Sequence, residues 1–107
     1  MELAGVLRLL PNLQETEVLS WVERGWVHAD GEGNTLSFTE IDVARVRLVH
    51  DLREDLALGE DVVPVVLSLI DQVYELRAAL KAVRRAVEQQ PEPVRTSLLA
   101  ALRASEL

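Results

Sequence analysis

From Val62 to Val87 the apolar residues fall at Val62, Val66, Leu69, Val73, Leu76, Leu80, Val83 and Val87, in unbroken steps of four and three. That spacing is the a/d repeat of a coiled coil, and no glycine interrupts it. A helix over 62–87 spans about 39 Å at roughly 1.5 Å per residue. Pro64 fits its first turn, where an amide has no intrahelical partner in any case, and Asp61 stands where a cap is wanted. Each Leu or Val side chain is worth roughly 1.5 to 3 kcal/mol when buried, and little else in the chain is free to cover eight of them. The pattern predicts a homodimeric coiled coil along this seam, the alternative being a helix packed only on its own N-terminal half.

The remaining elements read in chain order. Leu3, Val6, Leu7 and Leu10 share one face of a first helix over 2–10, which Pro11 stops. Residues 12–14 turn the chain. A second helix over 15–24 points Val18, Trp21 and Val22 inward, carries Glu15 and Glu17 in its first turn, and has Gly25 just past its end. This pair predicts a helix-turn-helix. Residues 26–28 and 36–38 flank a Gly-rich polar stretch, 29–35, which predicts a two-stranded β-hairpin wing. Thr39 is an N-cap with Asp42 at N3, and the third helix is expected to bury Ile41, Ala44, Leu48, Val49, Leu52 and Leu56 while showing Arg45, Arg47, Asp51, Glu54 and Asp55 to solvent. After Pro91-Glu92-Pro93 a last helix over 94–104 aligns Val94, Leu98, Leu99 and Leu102, and should fold back on the long helix or on a partner chain. The expected organisation is a mostly α chain: a head over 1–60, a dimerisation helix over 61–90 and a short C-terminal helix over 91–107.

Composition narrows the function classes. The chain has 107 residues and no cysteine, so it has no disulfide framework and no thiolate metal site. Neither a leader peptide nor a membrane span is expected, which makes the cytoplasm the default location. Charge is uneven: residues 1–61 hold thirteen Asp and Glu against five Arg, a balance of −8, whereas 62–107 balance at +1. An acidic head repels phosphates and suits a basic protein partner.

No catalytic constellation is visible. His28 and His50 lack metal-ligand spacing and are expected to be ordinary structural or surface histidines; no metal or cofactor is expected. The stretch Gly31-Glu32-Gly33-Asn34 is a turn, because no Lys-Ser/Thr helix opening follows it. Adjacent acids at 54 and 55 or at 60 and 61 diverge on a helix and do not form an acid/base pair. Trp21 and Trp26 are expected to pack locally across the end of the second helix.

The order helix-turn-helix, wing, third helix, long helix resembles the MerR-type regulators. More specifically, WVERGWV (21–27), DVARVRLVHDLREDLAL (42–58) and PVVLSLIDQVYELRAAL (64–80) resemble the chaperone-modulator CbpM family, a MerR-like group that has left transcription. The likeness covers roughly 1–90. It implies a non-enzymatic dimer that binds the J-domain of a DnaJ-like co-chaperone and keeps it from its Hsp70 partner. J-domains present a basic surface, so the expected contact residues are Glu15, Glu17 and Glu23 on the second helix, or Asp51, Glu54 and Asp55 on the third. The MerR alternative, a dimeric DNA-binding transcriptional regulator, departs from this sequence at the second helix and the wing, where acids stand in place of the expected Arg, Lys and Tyr.

Overall fold

A computed structural model describes residues 1–105. Among these, five helices follow in order: α1 Leu3–Leu9, α2 Glu15–Glu23, α3 Glu40–Glu54, α4 Val63–Glu88 and α5 Glu92–Ala104. A single 3-10 turn, Gly33–Thr35, interrupts the connection from α2 to α3. The chain divides into two compact units, Met1–Leu67 and the residues from Ser68 onward, with α4 continuous through the division. The last two residues of the expected 91–107 segment lie outside the described residues.

The first unit is built from capped helix ends. Around α2, the Glu17 carboxylate accepts from the Gln14 amide at 3.2 Å, while the flanking Leu13 and Val18 are both buried, as in a hydrophobic staple. At its other end Gly25 takes φ +77°, the Gly25 amide donates to Val22 O and the Trp26 amide to Trp21 O, which is a Schellman closure. Thr39 caps α3 as its sequence predicts: its hydroxyl accepts from the Asp42 amide at 3.1 Å and Asp42 accepts from the Thr39 amide at 2.9 Å. The core gathers Val6, Val18, Trp21, Trp26, Phe38, Val46, Val49 and the first turns of α4 through Val63 and Leu67.

Three expectations fail, each for a local reason. The two-stranded wing over 26–38 is not formed. Its first expected strand is consumed by the end of α2, because the amides of both Trp26 and Val27 donate to Trp21 O. What remains closes through one rung, Asp30 paired with Ser37 (2.9 and 2.8 Å), with Glu2 bridging Ser37 from the other side. The inward face of α3 is also rotated from the expected one. Asp42, Val46, Val49 and Leu52 are buried, whereas Ile41 is 82% exposed, Leu56 is 64% exposed and Ala44 is exposed. The capping box fixes this phase: it draws Asp42 inward at N3, and Val46 and Val49 follow one and two turns later on the same side. Arg45, expected outward, donates from Nε to Trp26 O at 2.9 Å. At the start of α4, Val62 and Val63 donate to Gly59 O, and among the described residues Asp61 makes no side-chain hydrogen bond.

In the second unit, the later turns of α4 and α5 flank an open groove of about 480 Å³ lined by Leu80, Val83, Val87, Leu99 and Leu102, with Arg84 and Arg103 on its walls. The C-terminal helix therefore does fold back on the long helix, beginning two residues earlier than expected.

Candidate interaction surfaces

Two kinds of surface are available for partners: acids on the first unit and an apolar stripe on α4. The six acids expected to meet a partner separate into two groups by what the backbone does beneath them. Glu15 and Glu17 lie in the first turn of α2, where the exposed amides of the helix N-terminus favour negative charge. Glu17 has a further job, since it closes the N-terminus by accepting from Gln14. Glu23 is exposed at the far end of the same helix.

Asp51, Glu54 and Asp55 sit at the opposite kind of place. They occupy the last turn and cap position of α3, where the free carbonyls give the helix its negative end. All three are exposed, and the side chains of Glu54 and Asp55 make no ion pair or hydrogen bond among the described residues. Among the described residues Asp51 has only His50 Nδ1, at 3.8 Å. Arg53, in the same turn, donates to Leu58 O at 2.6 Å and satisfies one carbonyl of the following bend without neutralising the acids. This end of α3 therefore carries a local concentration of negative charge that folding alone disfavours.

The positive charges of the first unit are largely committed to its own backbone and acids. Arg24 pairs with Glu60 at 3.2 Å while its guanidinium lies 5.0 Å from the Trp26 ring centre. Arg45 and Arg53 bond to carbonyls. Both tryptophans are buried in the core, so their proximity to the acids is structural and offers no exposed aromatic anchor.

Along the predicted seam, Leu69, Val73, Leu76, Leu80 and Val83 are between 45% and 67% exposed. Val62 is exposed and Val66 half-buried in the first unit. Val87 alone is buried, in the groove beside Leu99 and Leu102. The neighbouring Val63 and Leu67, off the a/d register, are the α4 residues that enter the first unit's core.

Sequence pattern did not reveal what the two histidines touch. His28 stands 3.1 Å from Asp42 and 3.4 Å from Asp30. Burial would raise the Asp42 carboxyl, but the hydrogen bonds from the Thr39 amide and from His28 outweigh it and hold the group below the ordinary carboxylate range. His50 is mostly buried, and among the described residues its Nε2 has no hydrogen-bond partner. Among the described residues no group of three or more His, Cys, Asp or Glu is placed to hold a metal, and no helix is long and apolar enough to cross a membrane. No family model, curated protein or solved structure matches the chain.

Proposed function

We propose that this protein is a non-enzymatic, homodimeric regulator of the chaperone-modulator type, which binds the J-domain of a DnaJ-like co-chaperone through the C-terminal end of α3. On this reading α1 and α2 are a MerR-like helix-turn-helix retained as scaffold, α4 is the dimerisation coil, and the protein works in the cytoplasm by covering the basic J-domain surface that Hsp70 would otherwise contact. The observation that carries the choice of face is the placement of Asp51, Glu54 and Asp55 against the helix dipole. At Glu54 and Asp55, charge that costs stability and finds no compensating partner among the described residues is accounted for by a cationic partner, whereas Glu15 and Glu17 are accounted for by α2 itself.

The DNA-binding alternative is the weaker reading. Each phosphate neutralised requires a cation, and 25–38 contain no Lys or Arg.

Calorimetric titration of the protein with the isolated J-domain, at low and moderate salt, tests the proposal. Saturable heat that weakens as salt rises is expected, and Glu54→Lys with Asp55→Lys should abolish it while Glu15→Lys with Glu23→Lys leaves most of it. Absence of heat with the wild-type protein sinks the reading; full binding by the α3 double variant sinks the choice of face.

A further inference from the structure

We infer that the second unit is half of a four-helix core: α4 and α5 of one chain close face to face on the same two helices of a second copy, and the groove between them holds the partner's aliphatic side chains. α5 thereby becomes a working part of the dimer proposed above, on which this arrangement rests, where a two-stranded coil would use α4 alone. Among the described residues from Ser68 onward, Val87 alone is buried. Although α5 folds back on α4, its Val94, Leu98, Leu99 and Leu102 remain 40% to 48% exposed. A helix pair with one residue out of water has no core of its own, and its open faces call for a second layer.

Area decides between two helices and four. A fully exposed Leu or Val side chain offers roughly 60 to 120 Å² of apolar surface on the transfer scale. Leu69, Val73, Leu76, Leu80 and Val83, each 45% to 67% exposed, therefore offer roughly 170 to 340 Å² per chain. A stable interface buries about 800 Å² per partner, of which about 450 to 520 Å² is apolar. The four α5 residues add roughly 100 to 200 Å², and only with them does the open surface reach that range. The two sets are already continuous. Leu80, Val83 and Val87 of the α4 seam line one side of the groove, and Leu99 and Leu102 line the other, so a partner that covers the C-terminal half of the seam enters against α5. From Leu69 to Val87 the α4 row runs about 27 Å at roughly 1.5 Å per residue. That is too long for a small amphiphile seated in the groove, and it is matched in length by the same row on a second copy. A two-fold axis pairs such faces and leaves neither unmet. Arg84 and Arg103, both exposed on the groove walls, cover the edge of the layer with their aliphatic stems and keep their charges in water.

Two measurements on the full chain test this. In dimers reassembled from isotope-labelled and unlabelled copies, filtered nuclear Overhauser spectra should show contacts from the methyls of Leu98, Leu99 and Leu102 to the other copy. By sedimentation equilibrium, Leu98→Ala with Leu102→Ala should raise the dimer Kd roughly tenfold or more while the helical circular dichroism is retained, because alanine keeps the helix and removes only the buried surface. A wild-type dimer whose α5 methyls meet no other copy, or a Kd unmoved in the variant, overturns the four-helix core and leaves a two-stranded coil standing. A single-chain mass for the wild-type protein overturns the dimer itself. Titration with sodium decanoate covers the other occupant: saturable shifts of the Leu99 and Leu102 methyls, in a protein lacking the contacts between copies, would assign the groove to an anionic amphiphile and overturn the inference.

Discussion

Asp42 makes three bonds: one carboxylate oxygen accepts from the Thr39 amide, the other faces His28, and its backbone amide donates back to the Thr39 hydroxyl. Because its carboxyl is more acidic in the folded chain than in the unfolded one, its ionised form adds stability that is complete above the ordinary carboxylate range of about pH 4. That stability is lost as pH falls through the folded value. Urea midpoints measured from neutrality down into acid should therefore decline in the wild-type protein and decline less steeply in Asp42→Asn, which starts from a lower midpoint. Glycine substitutions separate two kinds of cost. At Gly25 (φ +77°) an added methyl meets nothing within 4 Å, so Gly25→Ala should cost only the backbone term, about 1 to 2 kcal/mol. At Gly31 (φ +87°) the same methyl would lie 2.5 Å from Thr35 O, so Gly31→Ala should lower the urea midpoint further. Residues with a local grammar were legible in advance. Thr39 and Gly25 act within a few positions of themselves, where capping rules apply. His28 with Asp42, fourteen residues apart, and Arg45 with the Trp26 carbonyl, nineteen apart, obey no periodicity that a sequence displays.

At the level of elements, the five helices follow from apolar spacing and punctuation: Pro11 behind α1, Gly25 behind α2, Thr39 before α3 and Pro91 before α5. The wing was misread because Trp26 and Val27 have strand-like side chains while their amides belong to a helix end. The phase of α3 was misread because Ile41 and Leu56 extended the apolar count at both ends, and neither end is covered. The acids closing α3 give this element a property that can be measured without any partner. Glu54→Lys should stabilise the protein by about 0.3 to 1 kcal/mol, since it places a cation at the carbonyl end of the helix. A raised thermal midpoint combined with weakened J-domain binding is the signature of a residue kept for contact at the expense of fold stability. A lowered midpoint would mean that Glu54 supports the fold, and would remove the reason for preferring this face.

For the whole molecule, the periodicity of α4 and the burial along it answer different questions. The a/d residues Leu69, Val73, Leu76, Leu80 and Val83 remain open to solvent in one chain, while the residues that α4 buries in the first unit are Val63 and Leu67, outside that register. Heptad spacing thus marked the surface that one chain leaves uncovered, and it was silent about the turns that anchor the helix, because those answer to the shape of the core. Light scattering should give twice the 11.9 kDa chain mass for the wild-type protein and the single-chain mass for Leu76→Asp with Leu80→Asp. A dimeric mass in that variant would refute the seam. The distribution of aromatic residues makes such measurements selective. Both tryptophans are buried in Met1–Leu67, and the chain's single tyrosine, Tyr74, is exposed on α4 beside the open stripe. The two units therefore carry separate optical reporters: indole emission follows the melting of the first, phenol absorbance follows solvent access at the second, and a dilution series that moves one signal without the other will show whether dissociation precedes unfolding.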